Sequence, residues 1–247
     1  MNKEHIYILI PCLNEERNIE STVKSVMNTM LTLVDELNFT IILIDDGSTD
    51  GTLLKMEQLK EENSYCKVIK NHRNLGLGRT VLNTINELPD EAWVTVTPGD
   101  NEFIFDSLRN HLKVRNEYDL ILGYVDNELI RPLIRRLASS MFTKTIQFLY
   151  GFHFRYINGF KLYRAHVFKD IEIISSGHAF NAELIAKAKL RNPFIRIGES
   201  PFLARGRNTG NSKAFSVKSI FRAISEVFRG YRSVNQFRKK VIESQDY

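Results

Sequence analysis

Residues 41–51 read Ile41-Ile42-Leu43-Ile44-Asp45-Asp46-Gly47-Ser48-Thr49-Asp50-Gly51. A short apolar run rich in β-branched residues gives way at once to three acids, two glycines and two hydroxyls. That is the pattern of a buried strand delivering polar groups at its carboxyl end. In an open α/β sheet this edge is where ligands bind. The competing reading is a strand-to-helix turn in which Ser48, Thr49 or Asp50 caps the next helix. Capping accounts for the hydroxyls but not for the adjacent pair Asp45 and Asp46, so the rest of the chain has to decide between them.

Upstream, Ile6–Ile10 forms a compact apolar run that ends in Pro11-Cys12-Leu13-Asn14-Glu15-Glu16. Proline stops a strand ladder, and the polar residues again follow the strand's carboxyl end. Apolar residues at Ile19, Val23, Val26, Met27, Met30 and Val34 predict a helix over Ile19–Leu37, so the first three elements make a βαβ unit. Downstream, a helix over Thr52–Glu62 and a strand over Cys66–Lys70 are predicted. Next comes the loop Asn71-His72-Arg73-Asn74-Leu75-Gly76-Leu77-Gly78-Arg79, and then a helix over Thr80–Leu88. Its glycines permit close backbone approach and its arginines suit phosphate, although a glycine-bearing loop before a helix is weak evidence alone.

Ala92–Thr97 reads as another strand and runs into Pro98-Gly99-Asp100-Asn101-Glu102-Phe103. With this strand, carboxylates follow three strand ends, a convergence that capping does not explain. A further strand is expected over Asp119–Gly123. Ile130–Leu149 carries Leu133, Leu137, Met141, Ile146 and Leu149 at helical spacing, a stripe read here as core. Beyond it lie Asn158-Gly159-Phe160-Lys161-Leu162-Tyr163-Arg164, a helix opened by Phe180-Asn181-Ala182-Glu183 and a strand over Phe194–Ile197. Glu199-Ser200-Pro201 is expected to turn the chain into Arg205-Gly206-Arg207-Asn208-Thr209-Gly210-Asn211-Ser212-Lys213.

At 247 residues with a formal charge of +5, the chain is long enough for a generous α/β domain with its own core. Two cysteines, Cys12 and Cys66, form neither a disulfide framework nor a metal-ligand spacing, which fits a reducing cytoplasm. The polar start, Met1–His5, leaves no room for a secretory signal, and no apolar stretch is long enough to span a bilayer. Positive charge gathers in the last third, which suits a phosphate-bearing ligand or an anionic membrane surface better than nucleic acid. No nucleic-acid reading motif is present. Two divisions are expected: residues 1–213 as the main domain and 214–247 as a basic amphipathic helical tail. In that tail Val217, Ile220, Phe221, Ile224, Val227, Phe228, Tyr231, Val234 and Phe237 alternate with lysines and arginines. Such a helix lies in a membrane interface or packs on the domain or a partner subunit, and the membrane placement is preferred.

Taken in order, these motifs resemble the family 2 glycosyltransferases of the GT-A fold, most closely the dolichyl-phosphate mannose synthase and polyprenyl-phosphate sugar transferase branch. The resemblance covers Ile6–Lys213. It rests on Pro11-x-x-Asn14-Glu15, the Asp45–Gly51 strand end, Asn74-x-Gly76, Gly159-Phe160-x-x-Tyr163-Arg164, Phe180-x-x-Glu183, and Pro201 followed by Arg207-x-x-Gly210-x-Ser212-Lys213. It implies a mostly parallel sheet flanked by helices and an inverting transfer from a UDP- or GDP-linked sugar to a polyprenyl phosphate. A glycan acceptor of surface polysaccharide assembly, or binding of a nucleotide sugar without turnover, are the alternatives.

The resemblance also implies roles. Asp45 and Asp46 would accept hydrogen bonds from the base and ribose, with Pro11, Asn14, Glu15, Gly47, Asn74 and Gly76 completing the donor pocket. Asp100 would be the second aspartate of an Asp-x-Asp motif and, with Glu102, would hold Mg²⁺ or Mn²⁺ on the diphosphate. Arg207, Ser212 and Lys213 would close over the phosphates. Arg135 or Arg136, with Arg155 and Ser212, would meet the acceptor phosphate, unless those arginines only solvate a helix face. One position departs from the pattern: Pro98 stands where the first aspartate is expected, and its side chain can neither ligate a cation nor accept from a hydroxyl. The implied location is the cytoplasmic face of a membrane, held peripherally, with a membrane partner subunit as a further possibility.

Overall fold

The computed structural model describes residues 3–127, 133–205 and 217–245. Its centre is a seven-stranded sheet in the order β3-β2-β1-β4-β6-β5-β7. The strands are β1 (Glu4–Cys12), β2 (Leu37–Asp45), β3 (Cys66–Lys70), β4 (Trp93–Val96), β5 (Leu120–Val125), β6 (Lys161–Arg164) and β7 (Ile197–Phe202). The first four run parallel, β7 runs parallel to β5, and β6 lies antiparallel between β4 and β5.

Helices cover both faces: α1 (Ile19–Met30), α2 (Thr52–Glu62), α3 (Leu77–Asn86), α4 (Leu108–Lys113), α5 (Leu133–Tyr150), α6 (Phe180–Arg191) and α7 (Val217–Gln245). A strand buried on both faces reads as an unbroken apolar run, because neither side meets water. Accordingly Ile6, Ile8 and Ile10 of β1 join one buried cluster with Ile19, Val23 and Val26 of α1. Leu9 joins the opposite cluster with Val81 and Ile85 of α3 and Leu184 of α6.

The predicted α2 and β3 coincide with the observed ones. The first helix is shorter than its spacing suggests. It gives way at Met30 to a 3₁₀ turn over Leu31–Leu33. Leu37 then starts β2, buried with Phe39 and Ile41 at alternate positions, so a period of two takes over where helical spacing alone predicted more helix. The last strand falls at Ile197–Phe202, not Phe194–Ile197, and Phe194 is 90% exposed. Pro201 sits inside this strand instead of turning the chain, which an edge strand tolerates because one side of it has no ladder to break.

Two amphipathic readings also change. On α5, two residues of the expected core stripe, Leu137 and Met141, are 56% and 71% exposed, and Phe148 on the same side is 87% exposed, while Ile146 is buried and Leu149 packs against the core. On α7, Val227 and Val234 are buried in the cluster that α6 shares, and the helix packs against α6. Around Val227 and Val234, the apolar face expected to lie on a membrane therefore covers the domain, while Phe228, Arg229, Arg232, Lys239 and Lys240 point outward.

Polar groups bolt α7 in place. Lys187 Nζ, on α6, donates to Glu183 at 2.8 Å, to Ser233 Oγ at 2.7 Å and to the Glu172 carbonyl at 2.7 Å. Glu226 of α7 accepts from the nitrogen and the hydroxyl of Ser176. Among the described residues no helix is long and apolar enough to cross a membrane.

Candidate active site

The carboxyl ends of β2, β1 and β4 form one edge, and the loops beyond them are stitched together. Asp46 N donates to the Cys12 carbonyl at 2.9 Å, and Gly99 N reaches the Pro11 carbonyl at 3.4 Å. Asn14, in left-handed backbone at φ 60°, donates its nitrogen to Ser48 Oγ and accepts from Thr49 N at 2.8 Å through its side chain. Glu15 N donates to Thr52 Oγ1 at 2.8 Å, while its carboxylate accepts from Asn18 Nδ2 at 2.7 Å. Glu16 Oε2 accepts from Gly51 N at 3.1 Å. Asp50 accepts from the nitrogen and hydroxyl of Thr52, the first residue of α2, while Gly51 is the residue at the helix cap.

Asp45 and Asp46, both buried, divide their work. Asp45 Oδ1 accepts from Ser48 N at 3.1 Å, which shapes the turn. Asp46 accepts four hydrogen bonds: from Asn71 Nδ2 at 2.8 Å, Leu75 N at 3.0 Å and Thr80 Oγ1 at 2.7 Å on one oxygen, and from Gly76 N at 3.0 Å on the other. Oδ1 takes three of these bonds and Oδ2 one, so Oδ2 keeps an acceptor position open. Asp46 anchors the loop that carries Asn74 and Gly76, and its expected contact with the nucleoside is left as a proposal.

That loop passes over Gly47 so closely that a Cβ there would lie 2.7 Å from Arg73 C and from Asn74 N. Gly47 has φ +79°, so it meets a steric and a conformational demand together. Asn74 Oδ1 also accepts from Gly76 N at 2.8 Å.

Asp100 stands beside this pocket. Its Oδ1 accepts from Glu102 N at 3.0 Å, and the preceding Gly99 abuts Cys12 so tightly that a Cβ would fall 2.3 Å from Sγ. The Cys12 thiol is a useful reporter. Burial pushes its pKa up, and the negative charges of Glu15, Asp45, Asp100 and Asp50 each push it further, so this edge of the sheet is electronegative.

Among the described residues no group of three metal-binding side chains converges. The donor set fits a cation held jointly by one or two carboxylates and ligand phosphates, the usual manner of Mg²⁺ at a diphosphate. Asp100 and Glu102 are the residues expected from the sequence to take part.

Arg205 N donates to the Glu102 carbonyl at 2.7 Å, and Phe103 bridges Ala204. The chain that leads into residues 206–216 is thereby fastened next to Asp100. Arg207, Ser212 and Lys213 themselves, and the side chain of Arg135, lie outside the described residues.

A second cleft, of about 210 Å³, lies between α5 and the segment before β6. One face of α5 supplies Arg136, Ser140, Thr143 and Lys144, and Arg155 and Tyr156 close the other side. Arg136 Nε is buried there with no hydrogen-bond partner, an uncommon state for a guanidinium nitrogen. Arg155 donates its backbone nitrogen to Glu199 at 2.6 Å and lays its guanidinium 4.4 Å from the centroid of Tyr124. The fold thus brings Arg136 and Arg155 to one cleft. Sequence reading assigned no role to Asn71, Thr80 or Tyr124. Asn71 opens the quoted loop and Thr80 follows it, but only the folded loop turns them toward Asp46.

A parallel sheet whose carboxyl edge gathers carboxylates beside a loop anchored by an aspartate defines a nucleotide-diphospho-sugar transferase fold. The glycosyl transferase family 2 profile matches residues 7–172, and the chain belongs to that family. It is similar to dodecaprenyl-phosphate galacturonate synthase of Rhizobium johnstonii, at 26% identity over 227 residues, covering 89% of this chain and 64% of that protein. It is likewise similar to dolichol-phosphate mannosyltransferase of Pyrococcus furiosus, at 25% identity over 232 residues, covering 91% of this chain and 63% of that protein. The chain therefore spans somewhat under two thirds of each relative's length. Among solved structures, glucosyl-3-phosphoglycerate synthase from Mycobacterium tuberculosis in complex with Mg²⁺ and uridine diphosphate superposes with a TM-score of 0.63. That likeness covers 91% of this chain and 80% of the other at 16% identity, and it shows the shared fold.

Proposed function

We propose that this chain transfers a sugar from a UDP- or GDP-linked donor to the phosphate of a polyprenyl carrier, by direct displacement with inversion at the anomeric carbon. The observation that carries the acceptor side is the construction of α5. Its cleft face presents Arg136 and Lys144, and roughly a third of a turn away the stripe Leu137, Met141 and Phe148 stands exposed. A cationic pocket beside an exposed apolar stripe matches a ligand with a phosphate head and an isoprenoid tail, and it supports peripheral contact with a membrane through α5 instead of through α7.

The nucleotide occupies the edge formed by Pro11, Asn14, Glu15, Asp45, Asp46 and Gly47, under the loop of Asn74 and Gly76. Asp100 with Glu102 would hold a divalent cation, Mg²⁺ or Mn²⁺, which would supply positive charge to the departing diphosphate. Pro98 removes one carboxylate, so the protein leaves more of the cation's shell to phosphate and water. The acceptor phosphate is already ionised and needs positioning and charge more than a strong base, which Arg136 and Arg155 supply. Arg207, Ser212 and Lys213 are assigned to the donor phosphates as a closing segment. The proposed location is the cytoplasmic face of a membrane.

The test is turnover by purified protein with Mn²⁺ or Mg²⁺, a panel of UDP- and GDP-sugars and a polyprenyl phosphate in detergent, read by mass spectrometry of the lipid. A sugar-phosphate lipid is expected. Turnover of a glycan acceptor alone would transfer the assignment to surface polysaccharide assembly, and donor binding without any product would sink the enzymatic reading.

A further inference from the structure

Lys161 opens β6 at the edge of the sheet where β1, β2 and β4 end. Leu162 pairs with Thr95 and Lys161 with Leu122, which places Lys161 beside Val96, just before Thr97 and the Pro98–Asp100 turn. Alternation along the strand fixes its face. Leu162 belongs to the cluster under α1, whereas Tyr163 joins Leu122 in the opposite cluster, so Lys161 shares the face of Tyr163 and Leu122. Two residues beyond Leu122 on that face is Tyr124, under the Arg155 guanidinium. Diagonal neighbours on paired strands lie about 7–8 Å apart, within reach of side chains as long as these.

The lysine is partly buried. Its Nζ donates to the Gly159 carbonyl at 2.9 Å, which leaves its other two donors to a ligand or water. Burial pushes its ammonium down to about 7. Gly159 in turn abuts Tyr156, whose Cδ1 would lie 2.9 Å from a Cβ at that position, and Tyr156 lines the cleft with Arg136 and Arg155.

We propose that Lys161 is an anion-binding residue of this site, holding the acceptor phosphate from the sheet side, between the Asp100 edge and the Arg136–Arg155 cleft. The proposal rests on reading that cleft as the acceptor site. An arriving phosphate supplies negative charge and restores the ammonium, since an opposite charge nearby favours the charged form. Sequence reading quoted Gly159-Phe160-Lys161-Leu162-Tyr163-Arg164 without giving Lys161 a task.

The experiment titrates inorganic phosphate into the full chain at pH 6.5, followed by calorimetry, for the wild type and for Lys161→Met, Lys161→Gln and Lys161→Arg. Thermal unfolding verifies that each variant is folded. Binding is expected to weaken about tenfold or more in Lys161→Met and Lys161→Gln and to return to near the wild-type value in Lys161→Arg. Unchanged binding in the folded Met or Gln variant, or no phosphate binding by the wild type, overturns the proposal. Turnover of an isoprenyl phosphate is a separate arm. If the wild type gives none while its phosphate binding still depends on Lys161, the lipid acceptor falls and the anion-binding residue stands.

Discussion

Thr80 Oγ1 donates to Asp46 Oδ1 at 2.7 Å, joining the first turn of α3 to the end of β2. With Asn71, Leu75 and Gly76 on the same carboxylate, this bond makes the loop of residues 71–80 a rigid wall of the nucleotide edge. Asp46→Asn replaces an acceptor with an amide that presents donors to donors. A loss of about 2–4 kcal/mol in stability is expected, with a large fall in nucleotide affinity. Thr80→Val should cost about 1 kcal/mol. Denaturant unfolding and nucleotide calorimetry check both, and a stable Asp46→Asn variant with wild-type affinity would refute the anchoring role.

Arg136 carries a buried nitrogen that the protein leaves unpaired, so its partner is expected to come with the acceptor. Arg136→Ala should raise the KM for the lipid phosphate by about ten- to a hundredfold while leaving nucleotide binding unchanged, because a charge-assisted contact is lost on one side only. Equal effects on donor and acceptor would place Arg136 elsewhere in the reaction.

His111 is buried under Phe160, its Nδ1 3.3 Å from the Ser107 carbonyl, and burial lowers its pKa to about 4. The unfolded chain then binds more protons than the folded one between about pH 6.5 and 4, so stability is full above that window and falls as the pH drops through it. The loss reaches about 3 kcal/mol at the low end. Other carboxylates, such as Asp119 held low by Arg196, also cost stability on acidification. The measurement is therefore the difference in pH dependence between wild type and His111→Leu, and identical slopes would contradict it.

Glu183, the acid of Phe180-x-x-Glu183, is held as a structural anchor. It is buried, paired with Lys187 at 2.8 Å and bonded to the backbone nitrogens of Ile174 and Ser175, and these partners hold its carboxyl below the usual range against the cost of burial. Glu183→Ala strands a buried ammonium and should cost about 3–5 kcal/mol, whereas Glu183→Leu with Lys187→Met should recover much of it. Thermal melts of the two variants decide the point.

The carboxyl edge of the sheet was legible because parallel strands buried on both faces leave long apolar runs, and their abrupt change to Asp45, Asp46 and Asp100 marks that edge. What escaped depends on distance. Spacing alone could not tell that Leu137 and Met141 face water while Val227 and Val234 face α6, since an amphipathic stripe says that a face is apolar and not what covers it. Lys161 was invisible as a site residue because its placement comes from β6 pairing with Thr95 and Leu122, both well over 30 residues away in the chain.

The direction of β6 divides the site into two independently variable halves. Parallel strands bring their outgoing loops to the ligand edge, so the nucleotide pocket is written by the loops that leave β1, β2 and β4. β6 runs the other way and meets the edge with its beginning, so residues 151–160 arrive there from an incoming loop. Length and composition of that loop can change without shifting the register of β1 against β2 and β4. On the proposed assignment, changes within residues 151–160 are expected to alter acceptor recognition while leaving the donor edge in place.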